Sequence, residues 1–113
     1  MIEDVTITTS DQNQVTLPAY PAGSVLPTNP GVYIFLSKTG FNWRILYVGE
    51  SVNLNQRSGS GLSTHEKLNG ARSLGITHIA VLALHPTQAA ARFRIDKQLC
   101  ADFQPPLNIR LVA

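Results

Sequence analysis

What this chain lacks excludes several classes of protein at once. Its single cysteine, Cys100, can form no disulfide within the chain and rules out a cysteine-cage zinc site. That usage fits a reducing compartment. No apolar run approaches the roughly 18 residues that span a bilayer. The opening residues, MIEDVTITTS, have neither a basic region nor an apolar stretch and do not read as a signal peptide. A cytoplasmic protein with no membrane partner is expected. Walker-type and dinucleotide glycine loops are missing. His65, His78 and His85 lack the spacing of metal ligands.

What is present suits one compact domain. The chain has 113 residues, 43% of them hydrophobic, which is enough for a real core and too short for two ordinary domains. The net charge of +2 is unevenly spread. Residues 1–37 carry Glu3, Asp4 and Asp11 without Lys or Arg, whereas residues 38–113 carry nine bases and four acids. The basic part suits a polyanionic partner such as nucleic acid, and an ordinary solvated surface would account for so modest an excess equally well.

Residues 1–30 read as an extended N-terminal segment. VTITT and QVTLPAY are β-prone around a turn-like Ser10–Asn13, which suggests a marginal hairpin. Pro18, Pro21, Pro27 and Pro30 then exclude a helix or a central strand, so a surface loop is expected. The working domain is placed at 31–113. Its first two strands are Val32–Ser37 and Trp43–Val48, paired as a hairpin through Lys38–Asn42. Alternation puts Tyr33 and Phe35 on one face, Val32, Ile34 and Leu36 on the other, and Ile45 with Tyr47 on a common face. An even register would set both tyrosines on one side.

A short helix from Val52 to about Arg57 is expected, with Ser51 as its N-cap, then a flexible SGSGLST loop. Thr64 reads as the cap of a helix from about His65 to Leu74, which Gly75 ends. Ile76–Leu84 reads as a buried strand, and Pro86–Phe103 as a helix stopped by Pro105 and Pro106. The order β-β-α-α-β-α predicts an α+β fold: a small mixed or antiparallel three-stranded sheet flanked by helices.

On the last helix, 100° per residue groups Ala89, Phe93, Cys100 and Phe103 in one apolar stripe. Leu99 lies at its edge and Asp96 in its middle. A carboxylate there is costly unless paired, coordinated to a metal or at a cavity edge. An ion pair with Arg57 or Arg72 is one reading. The other is a metal ligand or general base, and a hard oxygen donor without a cysteine cluster favours Mg²⁺ or Mn²⁺. Tyr33 and Tyr47 by themselves are ordinary strand aromatics. Gly49 permits close backbone approach. His65, at a helix start beside a flexible loop, is well placed for catalysis or phosphate binding.

The combination and order of these residues carry more. Gly31-Val32-Tyr33, then Tyr47-Val48-Gly49, then Asn53-Leu54 and Arg57, resemble the GIY-YIG nuclease family. There the two tripeptides lie on the first two strands and the arginine on the next helix. Asp96 and, twelve residues later, Asn108 resemble that family's acidic residue and its asparagine after a proline. The resemblance covers residues 31–108.

It implies a metal-dependent endonuclease acting on DNA. Asp96 would bind one Mg²⁺ or Mn²⁺, and Tyr33, with Tyr47, would orient or deprotonate the attacking water. Arg57 would bind the phosphate, and His65 would be an accessory base. Lys67 and Arg72 would join Arg57 in contacting nucleic acid, while Gly31, Gly49 and Asn108 would be structural. Specificity would come from the N-terminal segment, a partner protein or self-association. Departures from the pattern are Asp96 in place of glutamate, the 13-residue spacer Ile34–Leu46, Glu50 after the second tripeptide, and the longer interval between Arg57 and His65. They leave room for a weak or inactive domain that only binds nucleic acid or protein.

Overall fold

The computed structural model describes residues 1–108; the last five residues of the expected 31–113 domain lie outside them. The fold is α+β. Five antiparallel strands, β1 (Glu3–Thr8), β2 (Gln14–Pro21), β3 (Gly31–Thr39), β4 (Asn42–Ser51) and β5 (His78–Ala83), form one sheet in the order β1-β2-β5-β3-β4. Three helices cover it: α1 (Leu54–Ser58), α2 (Leu68–Ser73) and α3 (Ala89–Phe103). From β3 onward the order is the expected β-β-α-α-β-α. The sheet has five strands instead of three because the N-terminal hairpin pairs with β5.

That pairing corrects the expectation that the prolines keep this segment out of the sheet. Pro18 and Pro21 lie within β2, which has β1 on one side and β5 on the other. The β5 pairing spans only Ala19–Pro21, so Pro18 sits where β2 has a single neighbour and needs no second ladder bond. Val5, Ile7, Leu17 and Ala19 alternate inward and join the main core.

β3 is the central scaffold. Val32, Ile34 and Leu36 face α3, together with Val48 and Leu99; Tyr33 and Phe35 face the opposite layer, with Leu54, Leu62, Leu68 and Ala71. Gly40, at φ +61°, makes the tight turn to β4 with Phe41. Leu46 is a β-bulge: Phe35 pairs with Tyr47 and Leu36 with Ile45. The bulge separates Ile45 from Tyr47, which alternation had put on one face. Ile45 packs on the α3 side, whereas Leu46 and Tyr47 pack on the other.

The helices differ from expectation in their ends and faces. Asn53, not Ser51, caps α1: its side-chain oxygen accepts from the Gln56 amide at 3.0 Å. The loop after α1 is organised, because Asn55 Oδ1 accepts from the backbone of both Leu26 and Ser60. Thr64 closes a single 3-10 turn, Leu62–Thr64, rather than capping a helix, and α2 starts at Leu68. The inward stripe of α3 is Arg92, Ile95, Asp96, Leu99 and Cys100, while Phe93 and Phe103 are 50% and 37% exposed. Ile95, Leu99 and Cys100 pack on the main core, and Arg92 turns inward to pair with Glu50. Among the described residues no helix is long and apolar enough to cross a membrane.

Because Leu17 is 5% exposed within the core shared with β3, the N-terminal hairpin contributes stability directly. Leu17→Ala should lower the unfolding free energy by about 2–4 kcal/mol in urea melts. A change below about 0.5 kcal/mol would show that the hairpin is a detachable appendage.

Candidate functional site

The site grows from one close approach. Gly49 pairs with Tyr33 across the β3–β4 ladder, and the Tyr33 ring lies over it. A Cβ at Gly49 would fall 2.4 Å from Tyr33 Cζ and 2.5 Å from its hydroxyl. Gly31 is equally constrained, since a Cβ there would lie 2.2 Å from the Leu82 carbonyl oxygen. These two glycines let β3 sit tightly between its neighbours and let Tyr33 lie flat.

Three aromatic groups, Phe35, Tyr47 and His65, gather on this ring. Tyr47 is diagonal to Tyr33 on the same face, with ring centroids 6.1 Å apart. His65 stands edge-on to both tyrosines, at 5.6 Å and 5.5 Å. Its Nε2 is 2.7 Å from the Tyr33 hydroxyl, and its Nδ1 accepts the Lys67 backbone N–H at 3.1 Å. An accepting Nδ1 carries no proton, so His65 is the Nε2–H tautomer and donates to the Tyr33 oxygen. Burial, then the nearby Arg57 charge, holds its pKa down at about 4. At neutral pH His65 is therefore a hydrogen-bond donor.

The two tyrosines differ. Tyr33 is buried, and desolvation pushes its pKa well above the ordinary 10, opposed by Arg57. Tyr47 is half-buried; burial and then the Glu66 charge raise its pKa, again with Arg57 in opposition. Arg57, in the last turn of α1, is paired through its NH2 nitrogen to Glu66 Oε1 at 2.5 Å. That contact overturns the reading in which Arg57 neutralises Asp96.

Asp96 belongs to α3, whose Ile95, Leu99 and Cys100 pack on the face of the sheet opposite the tyrosines. Its charge still contributes to raising Tyr47. Burial raises the pKa of Asp96 itself, with Glu50 adding to the effect, and the Cys100 thiol donates to Oδ1 at 3.3 Å. No ion pair to Asp96 occurs among the described residues. Glu50 is instead bound to Arg92 Nε at 2.5 Å, an arginine only 7% exposed.

A half-buried carboxylate without a cationic partner suits a hard divalent ion. The described residues contain no group of three or more His, Cys, Asp or Glu that could cage one. Asp96 would thus be a single protein donor of the hard oxygen type that Mg²⁺ or Mn²⁺ takes.

Of the other expected residues, Asn108 reaches the same edge strand. Its Oδ1 accepts from the Val48 amide and its Nδ2 donates to the Val48 carbonyl, both at 2.8 Å. With Leu107 N–H on the Leu46 carbonyl, it covers part of the free edge of β4. Arg72 is exposed on α2 beside Gly59, Ser60 and Ser63. Lys67 contributes its backbone to His65. His78 pairs with Glu3 at 2.8 Å, and His85 Nδ1 lies 2.8 Å from the Thr87 hydroxyl. Sequence reasoning missed Glu66 and Arg92. Arg92 lies four residues before Asp96, on the same helix face, a signal that was readable; Glu66 carried none.

Comparison with known proteins gives distant partial relatives. UvrABC system protein C of Pelodictyon phaeoclathratiforme is 31% identical over 87 residues, that of Chlorobium chlorochromatii 32% over 89, and that of Prosthecochloris aestuarii 31% over 100. These stretches cover 76%, 78% and 88% of this chain, and the chain spans only 13%, 14% and 16% of the relatives' length. No family model and no solved structure matches the chain.

Folding neutralises His65, and the sign of the pH dependence follows. The unfolded imidazole titrates near 6.5 and the folded one near 4, so the unfolded chain binds more protons between those values. The contribution is complete above about pH 6.5 and lost as pH falls through about 4, amounting to at most about 3 kcal/mol. Melting temperatures measured from pH 7 to pH 4 should fall more steeply for the native protein than for His65→Gln. Parallel curves would contradict the buried neutral histidine.

Proposed function

We propose that this chain is a metal-dependent endonuclease module that hydrolyses phosphodiester bonds in DNA. The observation that carries this reading is the gathering of Tyr33, Tyr47, His65 and Arg57 around Gly49, residues otherwise scattered over 33 positions. The resemblance to GIY-YIG nucleases supplies the reaction class. The similarity to part of UvrABC system protein C is consistent with a DNA-repair nuclease-related module.

Each side chain has a role its surroundings permit. Arg57 binds a phosphate oxygen and offsets charge that builds on the phosphorus oxygens. Tyr47, the more open phenol, contacts the attacking water. Tyr33 is enclosed and fixes the position of Tyr47, while the His65 Nε2–H stabilises any negative charge on the Tyr33 oxygen. Asp96 would hold a divalent ion, Mg²⁺ or Mn²⁺, whose chemistry there would be Lewis-acid polarisation of the phosphate. Lys67 and Arg72 add positive charge along α2 for the flanking backbone.

A second reading is a catalytically weak or inactive domain that binds nucleic acid or protein. Two observations favour it: Arg57 is already paired with Glu66, and Asp96 belongs to a helix that packs on the sheet face opposite the tyrosines. A supercoiled-plasmid nicking assay with Mg²⁺ or Mn²⁺ separates the two. Cleavage that falls by about 100-fold or more in Asp96→Asn and in Tyr47→Phe is expected for the enzyme. Retained DNA binding without cleavage under either metal would establish the binding module instead.

A further inference from the structure

Glu66 has no part in the roles above, yet its carboxylate occupies the most consequential position in the cluster. Oε1 accepts from Arg57 NH2 at 2.5 Å, and Oε2 lies 3.9 Å from His65 Nδ1. The carboxylate thus covers the guanidinium on the side of the His65 ring, and its charge is felt at Tyr47. Arg57 holds the Glu66 pKa down at about 2, so this group stays anionic at any working pH. A planar oxyanion bound to the arginine beside two phenols presents what a phosphodiester would present: oxygen acceptors bearing one negative charge.

We infer that Glu66 is a built-in occupant of the phosphate position, and that a DNA phosphate must displace it from Arg57 in order to bind. The inference rests on the reading of Arg57 as the phosphate ligand. Arg57 keeps an anionic partner throughout the exchange, so its charge is never left unpaired. Before substrate arrives, the pair keeps Arg57 extended toward the tyrosines rather than free in solvent. Displacement is cheap, because Glu66 is 58% exposed and its released carboxylate rehydrates. Glu66 is therefore a positioning residue that trades affinity for a preset arginine and for discrimination against weak anions.

The pair lies at the surface, so Glu66→Gln should fold normally, which a thermal melt checks. The test uses a fluorescent DNA duplex without divalent metal, so that binding is read without cleavage. Glu66→Gln should bind about two- to fivefold more tightly than the native chain, the scale of an exposed ion pair. Arg57→Ala should erase most of that gain in the double variant, because the competition takes place at Arg57. Two outcomes overturn the inference alone: native binding with no gain in Glu66→Gln, or an equal gain with and without Arg57, which would reflect only a changed net charge. Absence of DNA binding in every variant would instead overturn the nucleic-acid reading on which it rests.

Discussion

The contact on which the rest depends is the Tyr33 ring lying across Gly49. An aromatic side chain in the middle of a sheet normally stands off the backbone of its neighbours. Here the partner has no Cβ, so the ring drops onto the β4 backbone with its hydroxyl held inside the protein. That leaves the hydroxyl needing a partner, which His65 supplies from the segment between the 3-10 turn and α2. His65 in turn needs its other nitrogen satisfied, and the Lys67 backbone does this. One absent methyl group thus fixes a tyrosine, a histidine and the turn that carries them.

The electrostatics follow from that enclosure. Burial keeps both phenols protonated and the imidazole neutral, so the cluster's fixed charge is carried at its rim by Arg57 and Glu66. On the α3 side of the sheet a second rim pair, Arg92 and Glu50, stands beside Asp96. Glu50 looked anomalous as an acid following the second glycine, and a DNA phosphate would meet repulsion from it if it were free. Its pairing with a nearly buried arginine removes that objection. Asp96 is left half-buried and without an ion pair among the described residues.

Much of this was legible in local sequence. Tyr33, Gly49 and Arg57 could be singled out because their order along the chain resembles that of a known nuclease family; taken one at a time they looked ordinary, and alternation fixed only which residues of a strand share a face. The bulge at Leu46 was not legible, since an extra residue in one strand shows only when the partner's register is known. The face of α3 was read correctly for Asp96, Leu99 and Cys100 but not for its aromatics: Phe93 and Phe103 are exposed, and Arg92 and Ile95 turn inward in their place. Of the N-terminal segment, the hairpin was legible and Pro27 and Pro30 lie in a loop, but Pro18 and Pro21 enter β2, because the cost of a proline in a strand depends on whether a neighbour lies on that side at that residue.

The sequence by itself determined the order of elements from Gly31 onward, the glycines that permit close approach and the residue types available to the site. Those features depend on φ/ψ preference, side-chain size and spacing along the chain, all of which are local. Only the tertiary structure decided which charges neutralise each other, on which face of the sheet α3 packs and that the N-terminal hairpin completes the sheet. Ion pairs and strand partners join residues 9 to about 60 positions apart, as Arg57 with Glu66, Glu50 with Arg92 and Val48 with Asn108. Such pairings are selected by the packing of the whole sheet, and no spacing along the chain encodes them.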